Sequence, residues 1–197
     1  MLDLVIPDRC TSCGAPGGAL CPACARELTP CPPLEAPPPL RRLTAGSLYE
    51  GAARSLVLGL KLRRMRGHAV PLAEAACRAA WRDGVAGDLV TWVPCSRSDA
   101  RARGYDHAHA LAVAVAARLG LPVVSLLVPR GTRSDQTALG AAQRRENLKG
   151  AFVARRVHRR VVLVDDVVTT GATICTCADA LVRAGAVAVE GLAGCRA

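Results

Sequence analysis

The chain has 197 residues, of which 51% are hydrophobic and only 3% aromatic, and its formal net charge is +10 at pH 7. This length suits one domain of ordinary size with a small appendage. Apolar runs stay well short of the roughly 20 residues that span a membrane, and the N-terminus lacks the basic start and long apolar core of a signal peptide. We therefore expect a cytoplasmic protein without membrane insertion, whose charge suits phosphate-bearing ligands or nucleic acid.

Four cysteines near the N-terminus form two C-x-x-C pairs, Cys10 with Cys13 and Cys21 with Cys24. In a reducing compartment, four thiolates at this spacing can close a tetrahedral zinc site, and a segment this short has no core of its own. The alternatives are two disulfides, which the compartment disfavours, or a redox motif, which the paired arrangement outside a βαβ unit disfavours. A closed four-cysteine site leaves no position for substrate, so this zinc is predicted to be structural or to serve docking.

A proline-rich stretch separates this cysteine segment from the rest of the chain. It carries six prolines between Pro30 and Pro39 and almost nothing to pack, which predicts a semi-rigid extended linker. Cys31 is near enough to be a spare zinc ligand, but we interpret it as incidental. The predicted division is a zinc ribbon at residues 1–29, a linker at 30–45 and a main domain at 46–197.

The main domain alternates apolar strand patterns with helical ones, which indicates an α/β fold with a Rossmann-like parallel sheet. The basic residues of its first helix form either a solvated face or a charged wall beside a phosphate or nucleic-acid site. The predicted helices are Ala52–Arg66, Pro71–Arg82 and Ala108–Arg118. The predicted strands are Leu89–Val93, Pro122–Val124, Phe152–Val153, Val161–Val164 and Ala186–Val189.

The most informative stretch is Val161–Thr173, V-V-L-V-D-D-V-V-T-T-G-A-T. A buried strand precedes two carboxylates, Asp165 and Asp166, and a hydroxyl-rich loop then leads into a helix. A helix N-terminus favours an anion, Gly171 allows close backbone approach, and threonine hydroxyls add donors. The carboxylates would repel phosphate but suit a ribose diol or a nearby magnesium ion. The stretch thus predicts a sugar-phosphate site, with an ordinary βα unit and an acidic turn as the alternative.

A second anion site is predicted after strand Leu89–Val93, where the chain continues Pro94-Cys95-Ser96-Arg97. Open α/β sheets bind ligands at this carboxyl edge. Further arginines follow at 101 and 103, and their guanidinium groups suit a bidentate clamp on pyrophosphate. The alternative is three surface arginines in an arginine-rich protein.

The motif L-V-D-D-V-V-T-T-G-A-T resembles the signature of type I phosphoribosyltransferases, which bind 5-phosphoribosyl 1-pyrophosphate (PRPP). The resemblance implies that Asp165 and Asp166 are catalytic and hold the ribose 2′ and 3′ hydroxyls. It also implies a lid that closes over PRPP, for which the basic stretch Arg130–Gly150 is the candidate. The implied 5′-phosphate residues are Thr169, Thr170, Gly171, Ala172 and Thr173. The implied pyrophosphate residues are Cys95, Ser96, Arg97, Arg101 and Arg103, and the implied lid residues are Gln136, Arg144, Arg145 and Asn147.

Across nearly its whole length the chain resembles the ComF family, phosphoribosyltransferase-like proteins named for natural competence, in which imported single-stranded DNA is processed. The resemblance rests on the cysteine ribbon, the Tyr49, Gly51 and Lys61 pattern, V-P-x-S, R-G-[FY], Q…R-x-x-N and the acid pair. Where the family has R-G-F-N-Q, this chain places Asp106 and His107 in place of the two amides.

The ComF resemblance implies transfer of phosphoribosyl from PRPP to an unidentified nucleophilic acceptor, with release of pyrophosphate. The implied cofactors are magnesium, bound with PRPP, and structural zinc. Two alternatives stay open. One is a competence or DNA-uptake factor that acts with single-stranded DNA or competence-machinery proteins, and the other is a PRPP-sensing regulator.

Overall fold

The computed structural model describes residues 9–63, 65–95, 105–130 and 150–197. In this part of the chain, the central sheet has four parallel strands in the order β1-β6-β5-β2. They are β1 (Arg42–Leu48), β2 (Leu89–Trp92), β5 (Arg160–Val168) and β6 (Ala188–Arg196). Two short strands, β3 (Leu127–Pro129) and β4 (Phe152–Ala154), pair antiparallel in a separate sheet.

Helices alternate with these strands, which confirms the predicted α/β class with a parallel central sheet. The helices are α1 (Pro22–Arg26), α2 (Gly51–Leu62), α3 (Ala69–Asp83), α4 (His107–Leu119) and α5 (Ala172–Arg183), with a 3-10 turn at Arg66–His68. No helix in the described residues is long and apolar enough to cross a bilayer.

Both faces of the central sheet are covered, which explains why its middle strands are apolar throughout. On one face α2, α3 and α4 pack against Val162 and Val164, and on the other α5 and the antiparallel pair pack against Val161 and Leu163. All four of these residues are fully buried, as predicted for a central strand. Because α4 follows β2 and α5 follows β5, the chain leaves two neighbouring strands toward opposite faces. This divergence creates a crevice at the carboxyl ends of β2 and β5, where open α/β sheets bind ligands.

The predicted helices and strands differ from the observed ones at several places. The first long helix ends at Leu62 rather than Arg66, because Arg63 leaves helical geometry with φ −105°. The strand predicted at Pro122–Val124 is wrong, since Val123 forms a single bridge to Val90. β5 extends through Asp165 and Asp166, which were expected to follow the strand.

The segment before β1 packs on the main domain, so the expectation that it has almost nothing to pack is wrong. Cys31 is 0% exposed and Leu40 6% exposed, and both lie in the core on the α5 face of the sheet. β1 begins at Arg42, so the domain boundary predicted at residue 46 falls inside a strand. The rest of the three-part division stays a prediction.

A Cβ on Gly46 would lie 2.5 Å from the backbone nitrogen of Ala76, so glycine lets β1 approach α3 closely.

His68 is a fully buried imidazole between α2 and α3. Its Nδ1 lies 3.1 Å from the Leu56 carbonyl oxygen, while its Nε2 has no hydrogen-bond partner in the described residues. A Cβ on Gly59 would overlap the ring, so glycine makes room for it. Burial lowers the pKa of His68, the Leu56 carbonyl partly offsets this, and the charge of Arg63 lowers the pKa further.

Acid is therefore expected to destabilise the fold through His68. The folded-state pKa lies below the unfolded value of about 6.5, so the unfolded chain binds more protons and stability falls as pH drops below about 6.5. Urea unfolding at pH 7.5 and pH 5.5 measures this loss. His68→Gln, although less stable overall, should lose less stability over the same range, and an equal loss in wild type and variant would contradict the assignment.

Candidate functional site

The acid pair lies at the carboxyl end of β5, beside the end of β2. Val164 pairs with Trp92 across the sheet, and the Val93 amide donates to the Val164 carbonyl oxygen at 2.9 Å. Oδ1 of Asp165 accepts from the Asp166 amide at 2.9 Å, and Oδ1 of Asp166 accepts from the following amide at 2.9 Å. These backbone hydrogen bonds fix the orientation of both carboxylates at the crevice.

A lysine ammonium group and a histidine ring converge on Asp166, whose side chain is 6% exposed. Lys61 Nζ, from the last turn of α2, lies 3.4 Å from its Oδ2, and His107 Nε2, from the first turn of α4, lies 3.3 Å from the same atom. Neither contact has hydrogen-bond geometry, so Oδ2 has no hydrogen-bond donor among the described residues. Since a buried carboxylate oxygen without a donor is costly, this atom is suited to accept from a bound hydroxyl.

Asp165 is half-buried, and the pKa of its carboxyl group is shifted. Burial raises the pKa of Asp165 well above its usual range, the charge of Asp166 raises it further, and Lys61 opposes the rise. Two neighbouring carboxyl groups thus resist ionising together. A positive charge brought into the crevice, such as a metal ion or a cationic transition state, would favour the ionised form of Asp165.

The loop after β5 leads directly into the N-terminus of α5. Gly171 is the N-cap residue, with φ +75°, a left-handed conformation that favours glycine. Thr170 Oγ1 accepts from the Ala172 amide at 3.4 Å, while Thr169 and Thr170 are exposed. Because the first amides of a helix have no intrahelical acceptor, the start of α5 can hold an anion.

The predicted pyrophosphate turn is described only at Cys95, which follows β2 and lies beside the acid pair. Its amide nitrogen lies 3.4 Å from Oδ2 of Asp106, the residue that precedes α4. His107 connects the start of this turn to the acid pair, since one of its ring nitrogens lies within 4.8 Å of the Cys95 sulfur and its Nε2 lies 3.3 Å from Asp166. Thr170, Gly171 and Ala172 line a pocket on the α5 side of the sheet, together with Phe152 and Asp179. The remaining predicted site residues lie outside the described residues: Ser96, Arg97, Arg101, Arg103, Gln136, Arg144, Arg145 and Asn147.

Asp106 anchors this edge of the sheet, a role that the sequence reasoning missed. Its Oδ1 caps α4 by accepting from the amides of Ala108 at 3.0 Å and His109 at 3.3 Å. Its Oδ2 accepts from the indole nitrogen of Trp92 at 3.0 Å. An aspartate directly before a helical pattern is an N-cap signal, so the capping role was readable from sequence, whereas the bond to β2 was not.

The four N-terminal cysteines form a cluster whose Sγ atoms all lie within 4.8 Å of one another. Cys10, Cys21 and Cys24 are buried and Cys13 is exposed. Four sulfur ligands at this separation can hold a zinc ion in tetrahedral geometry. Cys31 lies in the main core instead, where its thiol donates to the Pro32 carbonyl oxygen, so it is not a fifth member of the cluster.

The thiols of this cluster differ in acidity. Although burial raises the pKa of Cys10, hydrogen bonds from backbone amides, beginning with those of Cys13 and Cys21, outweigh it and bring the pKa to about 6. The pKa of Cys24 is raised to about 12, chiefly by its hydrogen bond with the Cys13 side chain. One thiolate is thus ready for a metal at neutral pH, and a bound cation would displace the protons that the other thiols hold.

Comparison with known proteins places the chain in a family. No protein-family model matches it. It is 33% identical over 197 residues to DNA utilization protein YhgH of Salmonella typhi, covering 95% of this chain and 83% of that protein. It is 40% identical over 78 residues to competence protein F of Haemophilus influenzae, covering 36% and 34% of the two chains. The chain belongs to the family of these proteins, which confirms the ComF resemblance.

Among solved structures, the chain is similar to adenine phosphoribosyltransferase from Thermoanaerobacter pseudethanolicus. The TM-score is 0.36 at 21% identity, and the match covers 67% of this chain and 69% of that chain.

Proposed function

We propose that this protein binds PRPP in the crevice between β2 and β5 and transfers its phosphoribosyl group to a nucleophilic acceptor. The observation that carries the proposal is the arrangement within one βα unit. Asp166 presents a buried carboxylate oxygen that has no hydrogen-bond donor among the described residues, and five residues later Gly171 begins a helix whose N-terminus can hold a phosphate. A carboxylate that can accept hydrogen bonds from a diol, followed at this spacing by an anion site, matches the hydroxyls and phosphate of ribose 5-phosphate.

In this proposal each group of residues binds one part of PRPP. Asp165 and Asp166 accept hydrogen bonds from the ribose 2′ and 3′ hydroxyls, and the Lys61 ammonium group lies 3.4 Å from Oδ2 of Asp166. The loop Thr169–Thr173 binds the 5′-phosphate. Cys95, Ser96, Arg97, Arg101 and Arg103 bind pyrophosphate, and Gln136, Arg144, Arg145 and Asn147 belong to a lid that excludes water.

The proposed reaction breaks the bond between ribose C1 and the pyrophosphate oxygen, which takes the electron pair. Positive charge then develops on the ribose ring, and the ionised acid pair stabilises it electrostatically. A nucleophilic atom of the acceptor bonds to C1 and loses its proton, which passes to the released pyrophosphate or to water. Carboxylate oxygens suit Mg²⁺, which when bound with PRPP neutralises charge on the leaving pyrophosphate.

A pyrophosphate-release assay with PRPP, magnesium and a panel of nucleobases and amines tests the transfer. We expect release with one class of acceptor, and no release from the variant Asp165→Asn with Asp166→Asn. If the wild type binds PRPP but releases no pyrophosphate with any acceptor, transfer is contradicted and a PRPP-sensing regulator is favoured.

We also propose a DNA-related role for this cytoplasmic protein, with single-stranded DNA or competence-machinery proteins as partners and a structural zinc in the ribbon. Two observations favour it. The relatives above are named for DNA utilization and competence, and the net charge of +10 suits a polyanion.

Single-stranded DNA binding is expected to weaken as salt rises, because bound arginines release counterions from phosphates. Fluorescence anisotropy across a salt series should give a slope of about −0.7 per phosphate contacted in a plot of log affinity against log salt concentration. The variant Asp165→Asn with Asp166→Asn is the control and should bind DNA at least as tightly as wild type. An affinity independent of salt would rule out a phosphate-driven interaction.

A further inference from the structure

A second group of metal-ligating side chains lies at the crevice, away from the N-terminal cysteines. The sulfur of Cys95, a carboxylate oxygen of Asp106 and a ring nitrogen of His107 lie within 4.8 Å of one another. We propose that these three residues bind a divalent transition-metal ion of the Zn²⁺ type. The proposal concerns metal held by the protein alone and does not depend on PRPP binding.

The three ligands are positioned by rigid elements. Cys95 lies three residues after the end of β2, and its amide nitrogen lies 3.4 Å from Oδ2 of Asp106. Asp106 is fixed from both sides, since Oδ1 caps α4 and Oδ2 accepts from the Trp92 indole at 3.0 Å. His107 is the first residue of α4 and is 6% exposed. A metal site built at the ends of a strand and a helix needs little reorganisation on binding.

Asp166 supplies the outer partner that a metal-bound imidazole requires. Its buried Oδ2 lies 3.3 Å from Nε2 of His107 and has no hydrogen-bond donor among the described residues. The negative charge of Asp166 beside Nε2 would stabilise the ring when a metal ion binds at its other nitrogen. In this arrangement His107 would bind the metal ion, and the carboxylate of Asp166 would hold the imidazole ring in its orientation.

The ligand types identify the class of metal. Thiolate and imidazole select borderline or soft ions such as Zn²⁺ over Mg²⁺ and Ca²⁺, which prefer oxygen ligands. Three protein ligands leave the fourth position of a tetrahedral ion free, unlike the closed set of four cysteines at the N-terminus.

Cobalt titration of the full chain tests the proposal, with one equivalent of zinc first added to fill the four-cysteine cluster. Wild type should bind one further Co²⁺ and develop a thiolate-to-cobalt charge-transfer band. Cys95→Ser should abolish the band, and Asp106→Asn with His107→Gln should weaken Co²⁺ binding at least tenfold. Cys175→Ser, a cysteine on α5 outside the site, is the matched control and should keep the band.

The absence of further Co²⁺ binding to wild type, or a band that persists in Cys95→Ser, would overturn the second site. Asparagine caps helices as well as aspartate does, so the amide variant should retain α4. If that variant nevertheless unfolds, Cys95→Ser decides the outcome, because it leaves the cap intact. PRPP calorimetry on the same samples is a separate readout, so failure of the metal site and failure of PRPP binding are distinguishable.

Discussion

Replacing both carboxylates of the acid pair with amides, Asp165→Asn with Asp166→Asn, is expected to weaken PRPP binding by about a hundredfold or more. A hydrogen bond to a charged group contributes about 1.5–3 kcal/mol, and about 1.4 kcal/mol corresponds to tenfold in affinity. The two substitutions remove two charged acceptors while nearly preserving side-chain shape. Calorimetric titration with PRPP and magnesium measures the change.

Glu27→Gln is the control for this experiment. Glu27 is an exposed acid at the end of α1, and its replacement removes one negative charge outside the proposed site. We expect its PRPP affinity to stay within about twofold of wild type, as for surface substitutions that change free energies by less than about 0.5 kcal/mol. A double variant that binds PRPP as tightly as wild type would refute the role of the acid pair.

Loss of the N-terminal metal is expected when Cys10 is replaced by serine. The buried residues of the cluster are its own cysteines, with Leu20 packed against them, so a metal bound there would supply what a hydrophobic core otherwise provides. Zinc binding to structural sites of this kind contributes about 10–16 kcal/mol to the free energy of folding. We expect most of this contribution to be lost when one of the four ligands is missing. Metal analysis after native purification should show about one zinc per chain less in Cys10→Ser than in wild type.

The main domain should stay folded in Cys10→Ser, because its sheet and helices form their own core. Loss of structure in the N-terminal segment would appear as faster proteolysis before β1, with little change in far-ultraviolet circular dichroism. Cys175→Ser should retain the zinc content of wild type. Wild type with well under one zinc per chain would contradict the four-cysteine site.

The βα unit of the site could be predicted from sequence because its signals are local. The run of buried residues Val161–Val164 is apolar without interruption, and Gly171 directly precedes a helical pattern. The ribbon was equally readable, since cysteine spacing alone suggests a metal cluster. The role of the acid pair stays a prediction, and β5 continues through the pair because Asp165 also pairs with β6, a contact that no local pattern shows.

What sequence reasoning missed depends on contacts between distant segments. The predicted linker at 30–45 overlaps the start of β1, whose place depends on pairing with β6 and on the close approach of Gly46 to α3. The convergence of Lys61 and His107 on Asp166 joins three elements far apart in the chain. The motif that contains Lys61 was recognised, but only the fold shows what its ammonium group contacts.

Binding of PRPP to the wild-type chain tests the central claim most directly. Isothermal titration with PRPP and magnesium, alongside ribose 5-phosphate and pyrophosphate separately, measures whether one site recognises the whole donor. We expect a saturable heat for one PRPP per chain, with tighter binding than for ribose 5-phosphate or pyrophosphate alone. No heat and no thermal stabilisation at millimolar PRPP would contradict it.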